Sequence, residues 1–257
     1  MTERTFVSNS AGPVVLGLDL PMGSVHVQVL DSLTHARVTL RTADMSGPAA
    51  DVVNAARVTE NGQTIAVEVP EIRGNVVMQS VRGDRITQSV GTVYGSVTGI
   101  TIVNGRVATG SSGTMTRVSE IEARVALPSN SSLAVVSQAA DAVVDGEVDR
   151  MEFRSTSGDL RVDGARTVSA STTSGDLTVW RVGEQIAARS VSGDIAVDLY
   201  SGTSAELITT SGDVNVRATL KASGTVRANS VSGDVTVSGG RDLHVSARSV
   251  SGDVRTR

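Results

Sequence analysis

Seven aspartates recur in the second half of the sequence, six of them within a Ser-Gly-Asp-aliphatic motif. The glycine–aspartate pairs are Gly158-Asp159, Gly175-Asp176, Gly193-Asp194, Gly212-Asp213, Gly233-Asp234 and Gly252-Asp253, and Asp141 holds the same position one repeat earlier. A column of carboxylates could bind Ca²⁺, which prefers oxygen ligands. Its spacing, however, differs from that of the shorter calcium-binding nonapeptide repeat. We therefore expect turn residues, with glycine supplying positive φ and aspartate accepting hydrogen bonds from nearby backbone amides.

The other residue types that often act in catalysis or metal binding form no recognisable site. His26, His35 and His244 are far apart in sequence, and the sequence contains no Gly-x-Ser-x-Gly elbow. We interpret Arg82-Gly83-Asp84 as a variant turn rather than as an integrin-binding tripeptide. The absence of cysteine excludes disulfides, thiol nucleophiles and thiolate metal sites. The sequence therefore predicts no catalytic residue, no cofactor and no metal.

The aliphatic residues around the motif alternate with polar ones. Successive motif serines, Ser157, Ser174, Ser192, Ser211, Ser232 and Ser251, are 17, 18, 19, 21 and 19 residues apart. Alternation with a period of two is typical of strands with one buried face. The pattern predicts an all-β fold, a parallel β-helix or solenoid with about seven C-terminal rungs of strand, Gly-Asp turn, strand and loop. The Ser/Thr two residues before each turn should face inward. Segments such as 180–204 should contain the surface loops whose length varies from rung to rung.

The first half is less regular. Leu16 to Val27 resembles a degenerate rung, Ala49 to Val58 predicts one short helix, and Asn61-Gly62 is a hairpin signal. Residues 74–113, with glycines at 91, 95 and 99, predict an irregular β-hairpin or protruding insertion. We expect a leading β-rich segment at 1–70, a Gly/Ser/Val-rich insertion at 71–121 and a regular solenoid at 122–257, all within one continuous domain.

Composition limits the core and the partners. The chain has 257 residues, of which only five are aromatic: one Trp, two Tyr and two Phe. A core of Val, Leu, Ile and Ala is therefore expected, and Trp180 is expected to be buried against the neighbouring loop, with a partner contact as the alternative. The net charge of −4 does not suggest a nucleic-acid binder. Neither a signal peptide nor an apolar membrane span is evident, so we expect a cytoplasmic protein.

The repeated Ser-Gly-Asp-aliphatic rungs, preceded by Ala123-Arg124-Val125-Ala126-Leu127-Pro128, resemble the bacterial "putative adhesin" family of unknown function. The stretch from Asp51 to Val58, the Asn61-Gly62 turn and Val67-Glu68-Val69-Pro70 resemble the leading part of actinobacterial members. The resemblance covers most of the chain except about Gln79 to Thr116. It implies a β-helix and carries no catalytic residues.

These features favour a non-enzymatic structural or protein-interaction module. The seventh rung ends in Val254-Arg255-Thr256-Arg257, and an uncovered rung is a template for another chain. We expect a homo-oligomer formed through the solenoid ends, either a closed dimer or a filament, with Val254, Arg255, Arg257 and Trp180 as candidate interface residues. The alternative for the end is an edge protected by the two arginines. Residues 79–116 could engage a protein partner.

Two other functions compete with this hypothesis. One is a carbohydrate-binding or carbohydrate-active β-helix protein, which usually needs clustered carboxylates, basic residues and an aromatic platform. The chain is poor in aromatics, but a groove with convergent acids and bases would favour this function. The other is an accessory protein of a bacterial envelope-stress or regulatory system, which only the family resemblance suggests.

Overall fold

The computed structural model describes residues 1–72, 76–82, 85–90, 100–103, 106–109 and 116–257. The first half contains α1 (Pro48–Ala55) and strands β1 (Thr2–Val7), β2 (Val15–Asp19), β3 (Met22–Leu30), β4 (Arg37–Thr42), β5 (Arg57–Asn61), β6 (Thr64–Glu68), β7 (Val76–Arg82), β8 (Arg85–Val90), β9 (Ile100–Val103), β10 (Arg106–Thr109), β11 (Thr116–Ser119) and β12 (Ile121–Pro128). The second half contains β13 (Ser132–Val136), β14 (Ala139–Arg154), β15 (Leu160–Ser171), β16 (Leu177–Arg189), β17 (Ile195–Tyr200), β18 (Ser204–Ile208), β19 (Val214–Ala218), β20 (Ser223–Ser232), β21 (Val235–Gly239), β22 (Asp242–Ser251) and β23 (Val254–Thr256).

The strands wind into the parallel β-solenoid that the repeat predicts. Face A stacks β6, β2, β13, the C-terminal halves of β14, β15 and β16, then β18, β20 and β22. Face B stacks β12, β3, the N-terminal halves of β14, β15 and β16, then β17, β19, β21 and β23. Neighbouring strands within each face run parallel. The seven predicted rungs from β13 to β23 are confirmed.

Inward and outward positions follow the alternation in the sequence. On face A, Leu207 pairs with Ala228 and Ala228 with Ala247, and the side chain of Ala228 is completely buried. Arg227, the residue before it, is exposed. Ala188 lies further along the same column, beyond Leu207. Ala188 and Ala228 alternate with the larger Leu207 in this column, and all three side chains are buried.

The Ser/Thr column also faces inward, as predicted. The hydroxyl of Thr209 donates to the carbonyl oxygen of Gly193 in the preceding rung over 3.0 Å. Ser230 and Ser249 repeat this contact with Gly212 and Gly233 over 2.9 and 2.8 Å. These three hydroxyls thus satisfy carbonyl groups inside the corner, where an unpaired polar group would be costly.

Surface loops were predicted in the part of the repeat to which 180–204 belongs. In the rungs formed by β14, β15 and β16 there is strand instead, because each of these strands continues through that part of the repeat. The strands form a third side whose inward residues, Val148, Ala165, Val182 and Tyr200, are stacked and buried. Register shifts between Val144/Glu147 and between Ala165/Thr167 interrupt the alternation there. Periodicity in the sequence therefore did not reveal this side.

Two aromatic side chains are central to the core, which the expectation of a purely aliphatic interior missed. Tyr200 and Phe153 are the largest fully buried side chains. Burial raises the pKa of the Tyr200 hydroxyl to about 12, and among the described residues this hydroxyl has no hydrogen-bond partner. A buried tyrosine of this kind contributes through its ring rather than through its hydroxyl.

The N-terminal part closes one end of the solenoid. Strands β4 and β1 extend face B in antiparallel order, and β5 extends face A through an antiparallel pairing with β6. Helix α1 packs on β1 and β4 and places Ala49, Val52 and Val53 in the core. The predicted hairpin at Asn61-Gly62 is confirmed, with φ of 59° at Gly62.

The predicted helix boundary at Val58 is wrong, because α1 ends at Ala55 and Arg57 and Val58 lie in β5. Pairing of the β-branched residues in β5 with β6 outweighs continuation of the helix. Between β6 and β12, β7 and β8 pair antiparallel, as do β9 and β10, and β11 runs parallel to β7. No helix among the described residues is long and apolar enough to cross a membrane.

The inward and outward assignment can be tested by a pair of neighbouring substitutions. Ala228→Phe places a large ring between Leu207 and Ala247 and should cost about 1–3 kcal/mol or more of unfolding free energy through overpacking. Arg227→Ala removes an exposed side chain and should change stability by less than about 0.5 kcal/mol. Urea denaturation of both variants measures the difference. Equal losses would contradict the assignment.

Candidate functional site

The Ser-Gly-Asp turns stack directly over one another at the corner between faces A and B. Their serines form parallel bridges from Ser174 to Ser192, from Ser192 to Ser211 and from Ser211 to Ser232. The β20–β22 pairing continues this series from Ser232 to Ser251. We call the stack of six turns the turn column.

The aspartates of the turn column form a ladder of hydrogen bonds. At each step the backbone N–H of one aspartate donates to Oδ1 of the aspartate in the preceding rung. The N···Oδ1 distances are 3.0 Å for Asp159 to Asp141, 2.9 Å for Asp176 to Asp159, 2.9 Å for Asp194 to Asp176, 2.7 Å for Asp213 to Asp194, 2.7 Å for Asp234 to Asp213 and 2.9 Å for Asp253 to Asp234. The six carboxylates from Asp141 to Asp234 therefore each accept a backbone N–H at the corner, and Asp253 ends the ladder as a donor only.

The turn column requires glycine because the backbones of successive rungs approach each other closely there. A Cβ atom on Gly193 would lie 2.0 Å from the carbonyl oxygen of Gly175, and the other five turn glycines show corresponding distances of 2.1–2.2 Å. The expectation that positive φ explains these glycines is wrong for four of the six. Only Gly212 and Gly233 have positive φ, at 157° and 150°. Steric contact between rungs, rather than turn conformation, is the common reason.

Trp180 lies within β16, and its side chain is 52% exposed. The expected burial against a neighbouring loop is therefore wrong. Leu177 and Val179 face inward, so the alternation places Thr178 and Trp180 on the outer surface of face B. This parity was the signal in the sequence that could have identified Trp180 as an outward residue.

A groove of about 630 Å³ surrounds Trp180 on the outside of the solenoid. We call it the Trp180 groove; its lining residues are Gly146, Glu147, Arg161, Val162, Asp163, Gly164, Thr178, Trp180, Arg181 and Asp198. By register, Asp163 and Asp198 flank Trp180 on the rungs before and after it. The groove thus combines an aromatic ring with acids and bases, the combination that favours the carbohydrate alternative.

Hydrogen bonds and ion pairs position the charged groups of the groove. The backbone N–H of Gly146 donates to Oδ2 of Asp163 over 3.1 Å. The guanidinium of Arg181 lies 3.7 Å from the carboxylate of Glu147, and that of Arg217 lies 3.7 Å from Asp198. These two ion pairs are too long for direct hydrogen bonds. Carboxylate and guanidinium groups on the groove wall can therefore still form hydrogen bonds with a ligand.

A second groove of about 430 Å³ lies towards the N-terminal end of face B, and its lining includes His26, Gln28, Arg37 and Arg124. Its one carboxylate, Glu122, is hydrogen-bonded by Arg41 and by Arg124, the latter over 2.7 Å. Burial raises the pKa of Glu122, but the hydrogen bonds and charges of Arg124 and Arg41 outweigh burial and lower it below its usual value. Glu122 therefore remains ionised and holds both arginines in place.

The other candidate interface residues lie at the opposite end of the solenoid. Val254 and Arg255 belong to β23 in the last rung, and Arg255 forms ion pairs with Asp253 over 2.8 Å and Asp234 over 3.8 Å. The backbone of Arg257 pairs with Val237 and Gly239. Trp180 lies in an earlier rung. The structure therefore brings Val254 and Arg255 together and keeps Trp180 apart.

The candidate partner segment 79–116 is described through the backbone of β7, β8, β9, β10 and β11. Gly83 and Asp84 of the Arg-Gly-Asp tripeptide and the glycines at 91, 95 and 99 lie outside the described residues. A protein partner for this segment remains a prediction. In the described parts of the chain, no three His, Asp or Glu side chains are grouped so that they could hold a metal ion.

The ladder role of the aspartates can be tested by substituting one member in two ways. Asp194→Asn keeps an oxygen acceptor for the N–H of Asp213 and should be nearly neutral. Asp194→Ala removes that acceptor and should cost about 0.5–1.5 kcal/mol of unfolding free energy. Millimolar Ca²⁺ should leave the melting temperature of the unmodified protein almost unchanged. A large stabilisation by Ca²⁺ that is lost in Asp→Asn variants would instead support a cation ladder.

The solved structures to which this chain is similar share little sequence with it. A "putative adhesin" from Bacteroides fragilis superposes with a TM-score of 0.53 at 11% identity, covering 100% of this chain and 97% of that one. A "putative lipid binding protein" from Parabacteroides distasonis has a TM-score of 0.48 at 11% identity, with coverages of 100% and 97%. A "putative adhesin" from Parabacteroides merdae has a TM-score of 0.44 at 10% identity, with coverages of 100% and 96%. At 11% identity, the likeness to the Bacteroides fragilis structure shows the fold alone.

None of the curated proteins matches the sequence. The profile of one protein family of unknown function, described as Toastrack DUF4097, matches residues 35–257. The match includes the turn column, face A and face B from β13 onwards. It agrees with the resemblance carried by the Ser-Gly-Asp rungs. The chain therefore belongs to the Toastrack DUF4097 family.

Proposed function

We propose that the protein is a non-enzymatic interaction module whose last rung pairs with the last rung of a second copy. The observation that carries this proposal is the exposed interior of that rung. Val245 and Val254 are 37% and 44% exposed, whereas Val226 and Val235, their partners one rung earlier, are completely buried. Covering these inward side chains would remove apolar surface from water, which favours association.

The backbone of the last rung also has donors that match a partner strand. In earlier rungs the N–H after each turn aspartate donates to the carbonyl of the next aspartate, for example Val214 to Asp234 and Val235 to Asp253, each over 2.9 Å. The N–H of Val254 holds the same position, and no later rung is present among the described residues to accept from it. An edge of this kind is a template for strand pairing.

The opposite end of the solenoid differs, which favours a dimer over a filament. Antiparallel strands β1, β4 and β5 and helix α1 close that end, and the inward residues Leu16, Leu18 and Leu40 near it are at most 1% exposed. Head-to-tail stacking would need an open parallel edge at both ends. Pairing of two last rungs about a two-fold axis needs only one and closes after two copies.

The alternative that arginines protect the edge has less support from the contacts. Arg255 faces outward and pairs with Asp234 and Asp253 beside the turn column. Its guanidinium therefore neutralises part of the aspartate ladder instead of covering the inward-facing Val245 and Val254. An interaction role also agrees with the name "putative adhesin" given to the Bacteroides fragilis structure.

Proline substitution at equivalent positions in two rungs tests the proposed pairing. Val254→Pro removes an N–H that has no acceptor within the described chain, and proline is tolerated on an edge strand. We expect the unmodified protein to sediment at micromolar concentration as a dimer of twice 26.4 kDa and the variant as a monomer with an unchanged circular dichroism spectrum. Val235→Pro breaks the bond to Asp253 and should lower the melting temperature instead.

The arginine alternative predicts a different outcome in the same experiment. If Arg255 and Arg257 prevent association, replacing both with alanine should convert a monomer into larger species. Under the proposal this double variant remains a dimer. An unmodified protein that stays monomeric at high concentration would refute the pairing.

A further inference from the structure

We propose that the Trp180 groove binds a neutral oligosaccharide, with one sugar ring stacked on the indole of Trp180. The groove lies on the outer surface of face B in the middle rungs, away from the last rung. The inference is therefore independent of the proposed pairing between copies. Its volume of about 630 Å³ falls within the usual range of small-molecule sites.

The indole of Trp180 is exposed within a concave surface, which is the arrangement needed for stacking. The face of an indole ring is electron-rich, and the C–H groups on one face of a pyranose carry partial positive charge. Small residues beside the ring, Gly146 and Gly164, keep the groove open. A Cβ on Gly164 would come within 3.3 Å of Cγ of Glu147, so even alanine would press on the groove wall.

The charges around Trp180 balance, which favours a neutral ligand. Glu147, Asp163 and Asp198 supply three carboxylates. Arg161 and Arg181 line the groove, and Arg217 pairs with Asp198 from the next rung. Three negative and three positive groups leave no excess of either sign to select an anion or a cation.

The hydrogen-bonding character of the groove suits hydroxyl groups. The ion pairs of Arg181 with Glu147 and of Arg217 with Asp198 are each 3.7 Å long, beyond hydrogen-bond distance. A hydroxyl can accept from the guanidinium and donate to the carboxylate at the same time. A ligand with several hydroxyls could bridge both pairs, whereas an apolar ligand would leave these groups unsatisfied.

The position of the second groove indicates a chain of sugars rather than a single sugar. In face B, His26 of the second groove pairs with Val143, and Val143 pairs with Arg161 of the Trp180 groove. His26 and Arg161, one lining residue from each groove, therefore lie two rungs, or about 10 Å, apart on the same surface. A linear oligosaccharide that follows the solenoid axis would contact both.

The protein contains a single tryptophan, so its fluorescence reports on this site directly. We would titrate the full chain with four neutral hexasaccharides, cellohexaose, maltohexaose, mannohexaose and xylohexaose, and with the corresponding monosaccharides. We expect at least one hexasaccharide to give a saturable blue shift or quenching, and to bind at least tenfold more tightly than its monosaccharide. Calorimetry then gives the affinity of variants that lack the fluorophore.

Two variants separate stacking from general surface effects. Trp180→Ala should weaken binding of that hexasaccharide by at least tenfold in calorimetry, while the circular dichroism spectrum and melting temperature stay unchanged. Leu220→Ala, which removes an exposed apolar side chain outside the groove, should bind like the unmodified protein.

Three results would overturn the proposal. The first is that no hexasaccharide changes the fluorescence or releases heat at about 10 mM, a concentration that would saturate even a millimolar site. The second is that choline or inorganic phosphate saturates the site and the sugars do not, which would make the ligand an ion. The third is that Trp180→Ala binds the hexasaccharide as well as the unmodified protein.

Discussion

The solenoid depends on the close approach of successive Ser-Gly-Asp turns. At this corner the glycine of each turn lies against a backbone carbonyl oxygen of the preceding rung, with no room for a Cβ atom. The same closeness places each aspartate amide within reach of the preceding carboxylate, and each inward hydroxyl within reach of a glycine carbonyl. Steric fit, the aspartate ladder and the Ser/Thr column therefore have one common cause and reinforce one another.

Once the corner fixes the register, the inward side chains stack into columns. The outward side chains then do not contribute to core packing. This explains why an exposed tryptophan and balanced charges can lie on face B without disturbing the core. The two ends of the solenoid differ. The N-terminal end is closed by antiparallel strands and α1, whereas the last rung follows the repeat and leaves the interior at Val245 and Val254 partly exposed.

The sequence predicted those parts of the fold that repeat. Motif spacing gave the rung number, the turn column and the position of Asp141, and alternation gave the inward direction of Ala228. It failed where the pattern breaks. The register shifts in β14 and β15 hide the third side, and the direction of β1 and β5 depends on partners that one sequence does not specify. The Trp180 groove was missed because Trp180 was expected to be buried as a hydrophobic residue, although its place in the alternation is outward. Asp163 and Asp198 also come together only when the rungs stack.

The most direct test of this account compares two Gly→Ala substitutions by urea denaturation. In Gly193→Ala the new methyl group would lie 2.0 Å from the carbonyl oxygen of Gly175, whereas in Gly17→Ala the nearest atom is the carbonyl oxygen of Ile65 at 3.9 Å. Both changes restrict the unfolded chain equally, so this contribution cancels in the comparison. The account predicts that Gly17→Ala is neutral or stabilising and that Gly193→Ala lowers the free energy of unfolding by at least about 2 kcal/mol. Equal effects of the two substitutions would contradict the claim that the close approach of the turns holds the solenoid together.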